Sequence, residues 1–386
     1  MNGQNQIKRD LRIDFFRGLA LLIIVANHID LFSQKFYFKF SFKWLHPGFS
    51  DAAEIFVFLS GYVYGLVYYK FLLNNNFKKL YFKSFLRATQ LYIINLVSLF
   101  IILALFGLFQ QFLIPDLIAA GGSGHFFETP QLSLVYASIM LYAPALINVL
   151  PLYIVLLLIA PFFLILMRKK RSLALIISFA VYLIPHIFKF VNFPAYPFDF
   201  SQSYPWSRGW AFNPFAWQFL FVLAMDISVS INFFNLKIPN NKTLLILSII
   251  VLSLATTPRI TFILEKFGLM QTNWIGKVPF LGKRALEPLR LVHFFSLLYL
   301  AKLIFPSEHK FFHSKIAKPI TRCGQHSLEV FSFGIILTYL SYYTLVLIGI
   351  NEVNSYLLTF VSWGLMLLWS KYLETKKHFS IKREKI

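Results

Sequence analysis

Between residues 15 and 373 the chain returns again and again to nearly charge-free apolar runs. Each is about as long as the ~20 residues an α-helix needs to cross a bilayer. In lipid every backbone N–H and C=O must be satisfied internally, so runs of this length are read as membrane helices. They lie near 15–33, 50–70, 84–113, 148–167, 172–190, 213–234, 243–260, 288–306, 325–349 and 354–373. The expectation is an all-α, polytopic membrane protein with about ten transmembrane helices. It forms a single integral-membrane domain over 1–386, with a core at 10–373 and a basic cytoplasmic tail at 374–386. The run 132–147 is apolar but carries Pro144 and closes at Pro151, so it is read as a lumenal or re-entrant segment. Charged residues make up 14% of the chain, against about 25% in soluble domains. That excludes a soluble enzyme, and the long apolar runs exclude a disordered or fibrous chain.

The formal net charge is +21, from 37 Lys and Arg against 16 Asp and Glu. With the N-terminus in the cytoplasm, more than two thirds of these bases fall on the inner side, as the positive-inside rule expects. Both termini and the Arg168–Arg171 cluster are then cytoplasmic. The excess of base is explained by topology, and no nucleic-acid partner is expected. The loop 259–287, with Lys283 and Arg284 among its bases, is the outer segment that fits least well. Cys323 is the single cysteine, so neither an internal disulfide nor a thiolate metal site is expected. His28, Asp30 and Lys35 follow the first run where a signal peptide would have small residues, so it is read as a retained span. No P-loop, GxGxxG, HExxH or CxxC pattern occurs, so no bound cofactor or metal is expected. Gly121–His125 is read as flexible loop.

Ionisable side chains within membrane helices are costly, at about 2.5–3.5 kcal/mol each on the mildest scale, and mark functional candidates. In the first span Arg17 and His28 are eleven residues apart, hence about 20° apart around a helix and ~16 Å along it. One face therefore carries Arg17 near the inner end and His28 deeper. Snorkelling explains Arg17 equally well, and an interhelical hydrogen bond would explain His28. Asp51 and Glu54 open the second span at i and i+3, so they share a face at the level of His28. A histidine opposite carboxylates is the arrangement of a general base with an orienting partner. A hydrated rim pair is the plain alternative. Gly61 and Gly65, on nearly the same face, suit close helix packing. Trp217 and Gln218 near the start of the sixth span, and Arg290 and His293 near the start of the eighth, are outer-side candidates. Arg87 lies on the inner side, as does Arg322 with His326. Ser327 and Glu329 are read as a helix start.

The segments DLRIDFFRGLALLIIVANHI, FSDAAEIFVFLSGY, LPLYIVLLLIAP, NPFAWQFLFVLAM, PLRLVHFF and GQHSLEVF resemble, in order, the blocks of the OpgC family. These are succinyltransferases of osmoregulated periplasmic glucans, within the transmembrane acyltransferase superfamily. The resemblance implies a bacterial inner-membrane enzyme that passes an acyl group from a cytoplasmic donor to an outer glycan. The donor would be an acyl-CoA, succinyl-CoA or acetyl-CoA, acting as co-substrate. It also implies that Arg17 and His28 match the superfamily's Arg-x10-His pattern. Of the paired arginines that open the third span in related enzymes, only Arg87 has a counterpart.

On this reading His28, Asp51 and Glu54 are catalytic and Arg17 and Arg87 bind the donor. Trp217, Gln218, Arg290 and His293 line the acceptor side, and membrane lipids surround the helices. Direct transfer and an acyl-histidine intermediate remain open. The rival reading is a proton-coupled secondary transporter using the same ionisable groups, although the repeated halves common in transporters are not evident. A non-catalytic lipid- or glycan-binding subunit is the third reading.

Overall fold

The computed structural model describes residues 9–32, 48–109, 124–144, 146–189, 191–195, 209–266, 282–306 and 309–383. Among the described residues the regular structure is entirely helical. The helices are α1 (Leu11–Phe32), α2 (Ala52–Leu73), α3 (Phe77–Phe109), α4 (Gly124–Glu128), α5 (Pro130–Ser138), α6 (Val149–Ile187) and α7 (Pro214–Phe233). They continue with α8 (Lys242–Lys266), α9 (Pro288–Ile304), α10 (Ala317–Gln325), α11 (Ser327–Ile348) and α12 (Glu352–Arg383). Six helices, α2, α3, α6, α7, α11 and α12, are long and apolar enough to cross a membrane. This is a multi-pass membrane protein. The sequence reading counts about ten spans, but α1, α8 and α9 fall short of that standard over the described residues. Asp14 and Arg17 interrupt α1, α9 has 17 residues, and the described apolar stretch of α8 is Lys242–Thr256. α5 has nine residues, about 13 Å of helix, too little to cross. Gly121–Ser123 lie outside the described residues, while Gly124–Glu128 are helical. The basic segment from 374 continues α12 as far as Arg383.

The chain divides into two compact units, a division that composition does not mark. One draws on Met1–Lys43 and Leu298–Ile386, the other on Trp44–Leu297.

In the first unit α1 and α10 touch backbone to backbone. A Cβ on Gly18 would strike the carbonyl of Ile320, and one on Gly324 would strike that of Asp14. Small residues are what permit such an approach in membranes. Val25 packs on Gly334 of α11, and the Trp363 indole of α12 donates to Leu22 O at 2.8 Å.

In the second unit α2 and α7 run parallel, Gly61 against Phe221 and Gly65 against Met225. The expected role of both glycines in close packing is met, since either Cβ would press on a backbone carbonyl. α6 is too long for one crossing, and Lys170 breaks it with φ −148° and ψ 87°. Its first arm runs along α2, with Phe56 on Tyr153 and the Arg168 guanidinium on Leu72 O. Its second arm runs against α7, Arg171 meeting Asp226 and Ser178 meeting Gln218. The two arms are therefore antiparallel, and α6 is a hairpin turning within its Arg168–Arg171 basic cluster. This geometry collects Lys70, Lys78, Lys79, Lys83, Arg87 and the hairpin bases at one end of the unit. The N-termini of α2 and α7 lie at the other end, about 30 Å away along α2.

Candidate active site

The start of α2 is set by local chemistry. Asp51 is the N-cap, its Oδ1 accepting the Ala53 N–H at 2.8 Å. Glu54 reaches back, its Oε2 accepting the Asp51 N–H at 2.9 Å. This reciprocal pair is a capping box, and the Asp-x-x-Glu spacing ahead of an apolar run is its sequence signal. The i, i+3 carboxylates thus have a folding role that the search for acid–base pairs passes over.

α9 runs alongside α2, Arg290 level with Glu54 and Phe294 with Phe58. Its first turn closes the cluster. Arg290 Nε donates to Glu54 Oε1 at 2.6 Å, and its second nitrogen reaches Asp51 Oδ2 at 3.5 Å. One turn on, His293 Nδ1 lies 2.7 Å from Ser50 Oγ and accepts the Ser50 N–H at 3.2 Å. A ring nitrogen that accepts from a backbone N–H carries no proton, so His293 is the neutral Nε2–H tautomer. Its ring lies against Gly48, where φ is +130° and a Cβ would collide with the imidazole. Glu54 and His293 have no exposed surface.

Lys283 completes the cluster, its Nζ 2.8 Å from Asp51 Oδ2 and 5.4 Å from the centre of the Phe212 ring. Burial favours the neutral Asp51 carboxyl, but Lys283 and Arg290 outweigh it and hold the group well below the usual carboxylate range. Sequence inspection treats Lys283 only as a topological misfit. Its partner lies far away in the chain, and only the fold brings them together.

The turn carrying Lys283 is fixed from behind. The Trp217 indole N–H is shared between Lys283 O and Arg284 O at 3.1 and 3.2 Å. The Asn213 N–H donates to Arg284 O, the Tyr182 hydroxyl to Leu286 O, and Leu286 takes φ +46°. Trp217, expected on the acceptor side, is fully buried and presents no ring face to a sugar. Gln218, expected beside it, bonds Ser178 Oγ and Ser178 O, both at 2.7 Å. It ties α7 to α6. Arg87 is exposed at the basic end of the unit, donating to Gln90 at 3.1 Å.

Arg17 and His28 belong to the first unit, on α1, and both are partly exposed. His326 stands immediately before α11, and Ser327 and Glu329 occupy that helix's first turn as expected.

The architecture is that of a multi-pass helical membrane protein with an ionic cluster at one end of its larger unit and a belt of bases at the other. The chain matches the model of the OpgC protein family over residues 9–378 and belongs to that family. Family and apolar helices together fit a membrane acyltransferase. No curated protein and no solved structure matches the chain.

Proposed function

We propose that this protein is an O-acyltransferase of the bacterial inner membrane, with both termini in the cytoplasm. It transfers an acyl group, succinyl in the first instance, from a cytoplasmic acyl-CoA to hydroxyls of a periplasmic glucan or a related envelope glycan. The observation that carries the reading beyond the family match is the polarity of the second unit. Lys70, Lys78, Lys79, Lys83, Arg87 and the Arg168–Arg171 cluster lie at one end, where the positive-inside rule places the cytoplasm, and the Asp51–Lys283 pair lies at the opposite end, read here as periplasmic.

His28 acts as general base. It takes the proton of a glycan hydroxyl as that oxygen attacks the thioester carbon; the C–S bond breaks and the CoA thiolate leaves. Arg17 meets the anionic portion of the donor, and Arg87 belongs to the donor's side of the membrane. Asp51 is favoured over Glu54 as the substrate-side carboxylate, because Glu54 is sealed and both its oxygens are engaged. Trp217, Gln218, Arg290 and His293 serve by holding that carboxylate and its partner in place.

The test is transfer from labelled acyl-CoA to glucan in proteoliposomes. Loss of a general base costs 10²–10⁴-fold, so His28→Ala should retain under 1% of wild-type turnover with normal insertion. More than a tenth of wild-type turnover would reject His28 as the base. Absence of transfer by the wild type would reject the enzyme and return the transporter reading.

A further inference from the structure

We propose that Arg322 anchors a phosphate-binding site at the bend between α10 and α11 of the first unit. The site uses none of the residues assigned to acyl transfer, so it stands or falls independently of that reading.

The Arg322 guanidinium is short of partners. Its side chain is only 14% exposed, yet among the described residues none accepts a hydrogen bond from it. The nearest carboxylate, Glu374 on α12, stands 3.5 Å from Nε, an ionic contact without hydrogen-bond geometry. Nε is sealed from solvent, whereas the terminal nitrogens are not, which leaves the N–H fork as the open end of the group. The neighbouring arginines are satisfied. Arg9 holds Asp14 through two hydrogen bonds at 2.5 and 3.1 Å, and Arg12 holds Asp10 and also donates to Phe305 O. A guanidinium carries five donors and no acceptor, and a mostly buried charge left without hydrogen bonds is costly. Its planar fork matches the oxygens of carboxylates and phosphates.

The surroundings add a second set of donors. Arg322 lies in the last turn of α10, and His326 follows it as the N-cap of α11. The His326 side chain makes no capping hydrogen bond, so the first amides of this 22-residue helix keep the partial positive charge of a helix start. Such amides are a ready site for phosphate. His326 is within electrostatic reach of Arg9 and Lys377, and of Glu374 and Glu329. Arg9 is committed to Asp14, but Lys377 is exposed. Neither carboxylate fills the fork: Glu329 is exposed, and Glu374 meets Arg322 at the buried Nε. A planar carboxylate already stands beside Arg322 and leaves the fork open. A phosphate can give two oxygens to the fork and keep others for the α11 amides and Lys377. Both a soluble phosphate ester and the headgroup of an anionic lipid present this group.

The test titrates the full chain, in phosphatidylcholine nanodiscs, with inorganic pyrophosphate by calorimetry. Arg322→Gln should weaken binding at least about tenfold, through loss of charge-assisted hydrogen bonds. Lys242→Gln, an equal loss of charge in the second unit, should change it less than about twofold. Glu374→Gln removes the competing carboxylate and should tighten binding at least about threefold, a gain that a folding defect cannot mimic if Arg322→Gln inserts poorly. Glu352→Gln, at the other end of α12, should leave affinity within about 1.5-fold. Native mass spectrometry from discs with about one quarter phosphatidylglycerol separates the sources. More of that lipid retained by the wild type than by Arg322→Gln marks a headgroup, and equal retention marks a soluble phosphate ester. A wild type that binds no pyrophosphate in neutral discs, equal affinities in wild type and Arg322→Gln, or a Glu374→Gln variant no tighter than wild type would each overturn the assignment.

Discussion

The pairing of Arg290 with Glu54 can be tested by a double-mutant cycle whose outcome the structure fixes in advance. Glu54 has no exposed surface, and Arg290 Nε donates to it at 2.6 Å. Arg290→Met leaves that carboxylate buried with a single neutral donor, the Asp51 N–H. Breaking a buried ion pair from one side costs about 3–5 kcal/mol, and this is the expected loss. Glu54→Leu removes the acceptor for the cap and leaves the buried Arg290 with Asp51 at 3.5 Å as its remaining carboxylate, so it too should cost about 3–5 kcal/mol. The double replacement Glu54→Leu with Arg290→Met removes both charges together. What is then lost is chiefly Glu54's half of the capping box, about 1 kcal/mol. The double variant should therefore be more stable than Arg290→Met alone, with a coupling of at least about 2 kcal/mol. Equilibrium unfolding in mixed micelles titrated with SDS, followed by far-UV circular dichroism, gives the four corners of the cycle. If Arg290→Met costs less than about 1 kcal/mol, or if the two effects merely add, the pair does not hold the start of α2 and the account of the site's rigidity fails.

Two other predictions concern neighbouring features. Trp217→Phe keeps the packing but removes the N–H shared by Lys283 O and Arg284 O; it should cost about 1–2 kcal/mol in the same unfolding assay. An unchanged stability would mean that the indole does not hold the turn that carries Lys283. Burial holds His326 below its ordinary pKa, with Glu329 and Glu374 partly opposing it and Lys377 adding to it. The fold therefore favours neutral His326. Its contribution is present above about pH 6.5 and is lost as pH falls through the lower folded value. Thermal melts should show the wild type losing more stability than His326→Asn between pH 7.5 and 5, and identical losses would refute this.

The helices were legible because membrane solvation leaves a strong mark on sequence: a buried backbone must be helical, and the helix must be apolar for a bilayer's length. The α6 hairpin could be read from its bases, since Arg168–Arg171 interrupts two apolar arms where Lys170 leaves helical geometry. The packing role of Gly61 and Gly65 was legible too. The two-unit division was not, because α1 joins the C-terminal helices through single small residues, Gly18 and Gly324, that no periodicity announces. In the site, Asp51 and Glu54 were visible as a pair, but their partner Arg290 lies 236 residues from Glu54. Which distant cation meets which carboxylate is decided by the fold. Trp217 drew notice for its aromatic ring, whereas the atom that matters is its indole N–H.

Polarity inside a membrane helix nominates a residue for function, yet it does not separate a group that does chemistry from one that holds such a group still. Exposure and partner count make that separation. Glu54, His293, Gln218 and Trp217 are buried and hydrogen-bonded to other parts of the protein. For them to meet a substrate, bonds that keep α2, α6, α7 and α9 together would have to break. Asp51 and Lys283 keep open surface beside this fixed frame, and Arg17 and His28 are also partly exposed. The rigid set confines Asp51 and Lys283 to one end of the second unit, and Asp51 keeps the Ala53 N–H and Arg290 if Lys283 turns away. A bilayer enzyme needs both: a charge free to meet an anionic substrate is tolerable in so apolar a setting only if its resting partner retains other hydrogen bonds when that charge moves away.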